Sequence, residues 1–271
     1  MSCASEKMRG QMREKFTGDS YKSPRPPQGM LPATPAFYAR LFGGPLAALC
    51  RLAARGECDD TVWSNASLRV ADILEDYCPF DIEGLDNLRG LSGPCVIIAN
   101  HISTLETFIL PGLVRPIRPV TFVVKKSLTT MPFFGAVMRS RDPVVVGREN
   151  PREDLQTVLA GGAARLERGI SIIVFPQSTR SSRFDPAHFN TIGVKLARRA
   201  NAPVVPLALQ TDAWGQGKKL KDFGKITRGK KVRFKFAPPM RINGAGKDEH
   251  NEICEFIAST LAKWRKEDGE N

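Results

Sequence analysis

The sequence predicts an α/β fold, a largely parallel central sheet flanked by helices, with an N-terminal helical extension. Three observations predict it. After Pro79, apolar runs of five or six residues alternate with helical patterns, as strands covered on both faces require. Before Pro79, apolar residues recur at spacings of three and four instead. The 271 residues, 42% of them hydrophobic, also suffice for one sizeable core.

Residues 1–31 read as a flexible basic arm, polar, ending in Pro24-Arg25-Pro26-Pro27 and without the apolar stretch of a secretory signal. Residues 32–78 read as helical. Over 34–55 an apolar, aromatic stretch is broken by Gly43-Gly44-Pro45, which predicts two short helices rather than one. Its rings, together with Arg40, Arg51 and Arg55, suit either packing on the domain or a membrane interface. Val62, Ala66, Val70, Ile73 and Tyr77 then mark one face of a helix that ends before Pro79. Residues 79–266 form the main domain. Strands are predicted at 95–99, 120–124, 144–146, 170–175, 204–208 and 232–236, and helices at 152–168, 191–200 and 247–266.

Forty Lys and Arg against 28 Asp and Glu give a formal charge of +12. That excess favours an anionic partner, whether a lipid surface, nucleic acid or an acidic carrier protein. None of the familiar nucleic-acid-binding modules is present, and no specific nucleic acid is expected. The basic run 218–235 carries nine Lys and Arg residues against one acid, Asp222. It fits an acidic carrier, anionic headgroups or a solvated strand edge. No window approaches eighteen consecutive apolar residues, so no membrane-spanning helix is expected. The six cysteines are scattered, with no C-x-x-C and no metal-ligand spacing, as buried thiols in a reducing compartment would be. Asn65-Ala66-Ser67 therefore carries no weight as a glycosylation acceptor.

Three polar loops follow predicted strands, the edge at which open α/β sheets build their sites. The first begins Asn100-His101, with Glu106 five residues beyond the histidine. A histidine serves as a base near neutral pH when its second nitrogen donates to a carboxylate. His101 alone also fits a plain helix cap. The second loop opens with Lys125 and Lys126, a pair that equally suits a solvated surface. The third, Pro176-Gln177-Ser178-Thr179-Arg180, offers hydroxyls and a guanidinium fork to an anionic group. Together they converge on a site for a phosphate-bearing substrate.

Asn100-His101-x-Ser103-x-x-Glu106 resembles the first block of the glycerolipid acyltransferases, the family of lysophosphatidic acid and glycerol-3-phosphate acyltransferases. Phe122 to Leu128 with Met131-Pro132-Phe133-Phe134-Gly135, and Arg148 beyond, is similar to the second block. Phe175 to Ser181 is similar to the third, and Val204-Val205-Pro206-Leu207 to the fourth. Residues 80–88 resemble the lead-in before the first block, so the likeness covers about 80–240 in the correct order. Four positions depart from the family pattern. Glu106 stands for aspartate, Gln177-Ser178 for Glu-Gly, and Asn190 for a lysine common after the phenylalanine. These suggest a branch with a modified acceptor site or a catalytically silent lipid- or carrier-binding relative.

The resemblance implies the glycerol-3-phosphate acyltransferase-like fold and transfer of an acyl group from a thioester to an alcohol. His101 is then the general base and Glu106 its orienting partner. Substrate contacts fall to Ser103, Lys125, Lys126, Arg148, Gln177, Ser178, Thr179 and Arg180, the arginine holding the acceptor's phosphate. No cofactor or metal is expected; acyl-CoA or acyl-carrier protein is the co-substrate. The acceptor is a lysophospholipid or glycerol phosphate, 1-acyl-sn-glycerol 3-phosphate first. The expected location is peripheral, at an anionic membrane surface facing the cytoplasm.

Overall fold

A computed structural model describes residues 6, 8–24, 32–177, 179–217 and 220–269. Eight strands form one sheet: β1 (Tyr21–Lys22), β2 (Phe80–Glu83), β3 (Val96–Ala99), β4 (Val120–Lys125), β5 (Val144–Val146), β6 (Ser171–Val174), β7 (Val204–Gln210) and β8 (Val232–Phe236). Their order is β1-β2-β8-β7-β3-β6-β4-β5. The run from β7 to β5 is parallel throughout, while β8 joins β7 and β1 joins β2 antiparallel. The expected α/β architecture is therefore present, with β1 and β2 added to the strands that the sequence predicts.

Alternation along the strands sends side chains to two cores. Val96 and Ile98 of β3 face one, Ile97 and Ala99 the other. On one face lie α1 (Ala33–Gly43), α2 (Pro45–Ala54), α3 (Asp60–Glu75), the short α4 (Asp86–Arg89) and α5 (Leu105–Val114). Short helices α6 (Lys126–Thr129) and α7 (Phe134–Ser140) follow β4. The other face is covered by α8 (Pro151–Glu167), α9 (Ile192–Arg199) and α10 (Lys247–Glu267).

The two short N-terminal helices and the break at Gly44 match the reading of 34–55. Phe37, Leu41, Leu49 and Leu52 are buried, so both helices pack on the domain. Helix α3 starts at the Asp59 cap, whose side chain accepts the Val62 N–H at 2.7 Å. It packs on α5, where Pro111 interrupts the helical hydrogen bonds. There the Ser67 hydroxyl accepts from Gly112 N–H at 2.7 Å and reaches the Phe108 carbonyl at 2.5 Å, so it replaces the missing rung. A Cβ at Gly112 would meet Leu68 and Ser67 at 2.9 Å, which is why glycine stands at this crossing.

The flexible arm expected over 1–31 needs correction in its described part. Residues 8–24 run along α3, with Met8 and Phe16 buried and Tyr21 in register with Ile82 of β2. Lys15 pairs with Asp72 at 2.9 Å and Glu75 at 2.5 Å, and Arg13 with Asp72 at 3.0 Å. Acids on α3 thus take up charge that reads, in the sequence, as a free basic tail. Residues 1–5 and 25–31 lie outside the described residues. Asn65 is wholly buried and its amide binds the Met8 carbonyl, which removes it as a glycosylation acceptor.

The basic run is also partly neutralised. Lys230 pairs with Asp212, Lys231 with Asp268, Arg233 with Asp268 and Glu267, and Lys235 with Glu83. Trp214 is buried and stacks on Phe108 at 5.5 Å. Among the described residues, no helix is long and apolar enough to cross a membrane.

Candidate active site

The parallel strands end on one edge, and β3 lies between β7 and β6. The loops after these two neighbours therefore flank the loop after β3. Asn100 holds the point of splay: its amide donates to Leu209 O at 2.9 Å and accepts from Leu209 N–H at 2.8 Å, tying β3 to β7. The chain then turns, and α5 begins at Leu105. Glu106 sits in the first turn of α5, with its carboxylate folded back over the loop.

Glu106 is fully buried and accepts with both oxygens. Oε1 takes the Ile102 and Ser103 N–H groups, each at 2.8 Å, and the Thr211 hydroxyl. Oε2 binds Nδ1 of His101. An ionised carboxylate only accepts, so Nδ1–H is the donor of this pair, and in a neutral imidazole so held Nε2 carries the lone pair. The longer side chain of glutamate reaches two backbone donors and the imidazole together. His101 stacks on Phe175 of the β6 loop, with centroids 4.3 Å apart and planes 15° apart.

Gln177 is buried, and its Oε1 accepts the His101 N–H at 2.6 Å; Ser181 N–H donates to His101 O at 2.9 Å. The third loop thus grips the backbone on both sides of the histidine. An amide makes this bond as a carboxylate would, without adding a second negative charge beside Glu106. Asn190, in the position of the family's lysine, donates to the Pro176 carbonyl and so braces the same loop.

His101 opens onto a groove of about 1880 Å³, well above the roughly 300–1,000 Å³ of ordinary small-molecule pockets. Lys125, Arg148, Gln177, Thr179 and Arg180 line it as well. Its apolar lining comes from Phe42, Leu46, Ala47 and Cys50 of the N-terminal helices with Phe134 and Met138 of α7. Arg51, Arg139, Arg148, Arg180 and Lys195 add cations to the same groove. Arg148 has φ of 65°, held there by Asp154, which accepts the Gly147 and Arg148 N–H groups at 2.9 Å.

Two expected site residues are placed elsewhere. Ser103 is 1% exposed, and its hydroxyl donates to Thr211 O at 3.0 Å and accepts from Leu105 N–H at 3.1 Å. It organises the loop and does not line the groove. Lys126 begins α6 and is not among the groove's residues, although Ser127 and Leu128 of the same helix are. Ser178 lies outside the described residues. Cys95 sits at the far end of β3, roughly 20 Å along the strand direction from His101. Burial pushes its thiol up, so it has no nucleophilic part here.

Sequence reasoning missed Thr211 and Thr104. Thr211 follows the apolar β7 in the polar pair Gln210-Thr211, which was the available signal. Thr104 accepts from Arg180, which also pairs with Asp222 at 2.7 Å. Among the described residues there is no group of three His, Cys, Asp or Glu side chains that could hold a metal ion.

A profile described as Acyltransferase matches residues 79–210. The chain is 31% identical to the 1-acyl-sn-glycerol-3-phosphate acyltransferase of Pseudomonas aeruginosa, the match covering 54% of this chain and 64% of that protein. It is 28% identical to the enzyme of the same name from Saccharomyces cerevisiae, covering 69% and 60%. The chain spans less than two thirds of the length of these curated relatives. Its fold is similar to the crystal structure of the 1-acyl-sn-glycerophosphate acyltransferase from Thermotoga maritima. The TM-score is 0.62 at 20% identity, over 86% of this chain and 95% of that one.

Proposed function

We propose that the chain, similar over residues 79–210 to the Acyltransferase family, is a glycerolipid acyltransferase that acylates a phosphate-bearing glycerolipid in phospholipid synthesis. The donor is a thioester, acyl-CoA or acyl-carrier protein, and the acceptor 1-acyl-sn-glycerol 3-phosphate. One observation carries the reading: the His101–Glu106 pair, buried on its carboxylate side and opening on its imidazole side to a groove lined by apolar side chains and several cations.

In this mechanism Nε2 of His101 takes the proton from the acceptor hydroxyl as the oxygen attacks the thioester carbonyl. The acceptor oxygen must approach Nε2 to roughly 3 Å. Glu106 holds the imidazole by Nδ1 and stabilises the imidazolium that forms. Collapse of the tetrahedral adduct expels the thiolate, which takes up the proton, and leaves the ester. The thioester is already activated, so the scheme uses no acyl-enzyme. Arg180 holds the acceptor's phosphate, with Lys125, Arg148 and Thr179 nearby in the groove. The groove's apolar side chains take the acyl chain.

The protein meets an anionic membrane surface peripherally, on its cytoplasmic face. Exposed Phe42, Met131 and Phe133 at the groove support this, since rings and thioethers insert where cations meet headgroups.

The test is acyl transfer by the purified protein to lysophosphatidate, with acyl-CoA and acyl-carrier protein as separate donors. His101→Ala is expected to abolish turnover and Arg180→Ala to raise the acceptor KM. Absence of turnover with either donor, glycerol 3-phosphate and other lyso-lipids included as acceptors, would overturn the reading in favour of a silent binding protein.

A further inference from the structure

Among the described residues, two acids line the groove against six cations. Asp154 is occupied by the Gly147 and Arg148 backbone. Asp222 instead faces the guanidinium that the proposed function gives to the acceptor's phosphate. Its Oδ1 lies 2.7 Å from Nη2 of Arg180 and accepts from the Thr104 hydroxyl at 3.3 Å, and Thr104 in turn accepts from Nη1 of Arg180. Carboxylate, hydroxyl and guanidinium form a closed triangle at the groove wall. The arginine's side chain is 17% exposed and the aspartate's 41%.

We propose that Asp222 is an internal competitor at the Arg180 subsite, occupying the fork that the acceptor's phosphate must take and so setting how tightly an anionic acceptor is held. A phosphate binding bidentately needs two guanidinium N–H groups in one plane. With Nη1 on Thr104 and Nη2 on Asp222, part of that fork is engaged, and a second anion beside the carboxylate is repelled. The acceptor group admitted is therefore one that displaces a carboxylate. A phosphate monoester carries about −1.5 to −2 charge at pH 7 and three acceptor oxygens, so it displaces Asp222. A phosphodiester headgroup, with a single negative charge, gains less from the guanidinium, while the carboxylate imposes its cost on both.

This inference rests on the proposed role of Arg180, and the experiment separates the two. Full-length wild-type protein, Asp222→Asn, Asp222→Ala and Arg180→Ala are titrated calorimetrically with two soluble ligands. One is hexanoyl lysophosphatidate, a monoester; the other is hexanoyl lysophosphatidylglycerol, a diester. Wild type is expected to prefer the monoester. Both Asp222 variants should bind each ligand more tightly, by about threefold to tenfold, and keep the preference for the monoester. In turnover, acceptor KM should fall while kcat holds, a split that a loosened loop would not produce. Unchanged or weaker binding in both Asp222 variants, with Arg180→Ala still losing the monoester, overturns the inference and leaves the role of Arg180 standing. Monoester binding that is absent in wild type, or survives Arg180→Ala, removes the role of Arg180 and the inference with it.

Discussion

Two buried charges sit on opposite sides of the end of β7. Glu106 is 0% exposed and Arg233 1%. Consecutive residues serve them: Gln210 accepts from Arg233 at 2.6 Å, and Thr211 donates to Glu106. Adjacent strand residues point to opposite faces, so one dipeptide feeds two networks. The Arg233 network runs to Asp268 at 2.6 Å, to the exposed Glu267 and to the Trp264 ring, which anchors the end of α10 to β8. The Glu106 network ends on an imidazole that lines a groove. Dense hydrogen bonding around a buried charge is thus common to both. What marks the functional one is that its partner is a titratable base set in a groove.

The largest effect that tests this contrast is His101→Ala. It should lower kcat by ~10²–10⁴, the usual contribution of a general base, and cost about 1–3 kcal/mol of stability because one oxygen of the buried Glu106 loses its partner. A loss below tenfold breaks the assignment of His101. Next comes Arg233→Met, which strands Asp268 and Gln210. A loss of about 3 kcal/mol in urea unfolding is expected, with kcat of the folded fraction unchanged. Altered kcat at full folding would mean that the two networks are coupled through Gln210-Thr211.

Thr211→Val is a smaller perturbation. It removes one donor from Glu106 while keeping shape, and should cost about 1–2 kcal/mol of stability. Turnover should fall several-fold, well short of the His101→Ala loss, as steady-state kinetics would reveal. The smallest effect concerns pH. Partial burial raises the Asp268 carboxyl, but hydrogen bonds from Arg233 and Lys231, the arginine's charge and Gln210 outweigh it and hold the group below the usual carboxylate range. Its folded value being lower than its unfolded one, Asp268 stabilises the fold above the unfolded pKa of about 3.9, and this is lost as pH falls through the depressed value. The acid limb of a melting-temperature profile should flatten in Arg233→Met and stay steep in His101→Ala.

The core strands were legible because apolar runs and their period are local properties. β2 was not, since Phe80-Asp81-Ile82-Glu83 is short and two of its four residues are acids. β1 has two residues and exists only through its pairing with β2. The arm was misread for a related reason: composition reports the charge of Arg13 and Lys15, whereas Asp72 and Glu75 that meet it lie more than fifty positions away.

By itself the sequence determined the alternation of strands and helices, the polar loops at strand ends and the His101–Glu106 spacing, each carried by neighbours along the chain. Only the tertiary structure decided which loops meet. The order β7-β3-β6 brings Thr211 to Glu106 and Gln177 to His101. It also decided that Ser103 turns inward, that Lys126 stays out of the groove and that Asp222 lies on Arg180. Strand order and loop packing are set by contacts between residues distant in the chain, and no local pattern encodes them.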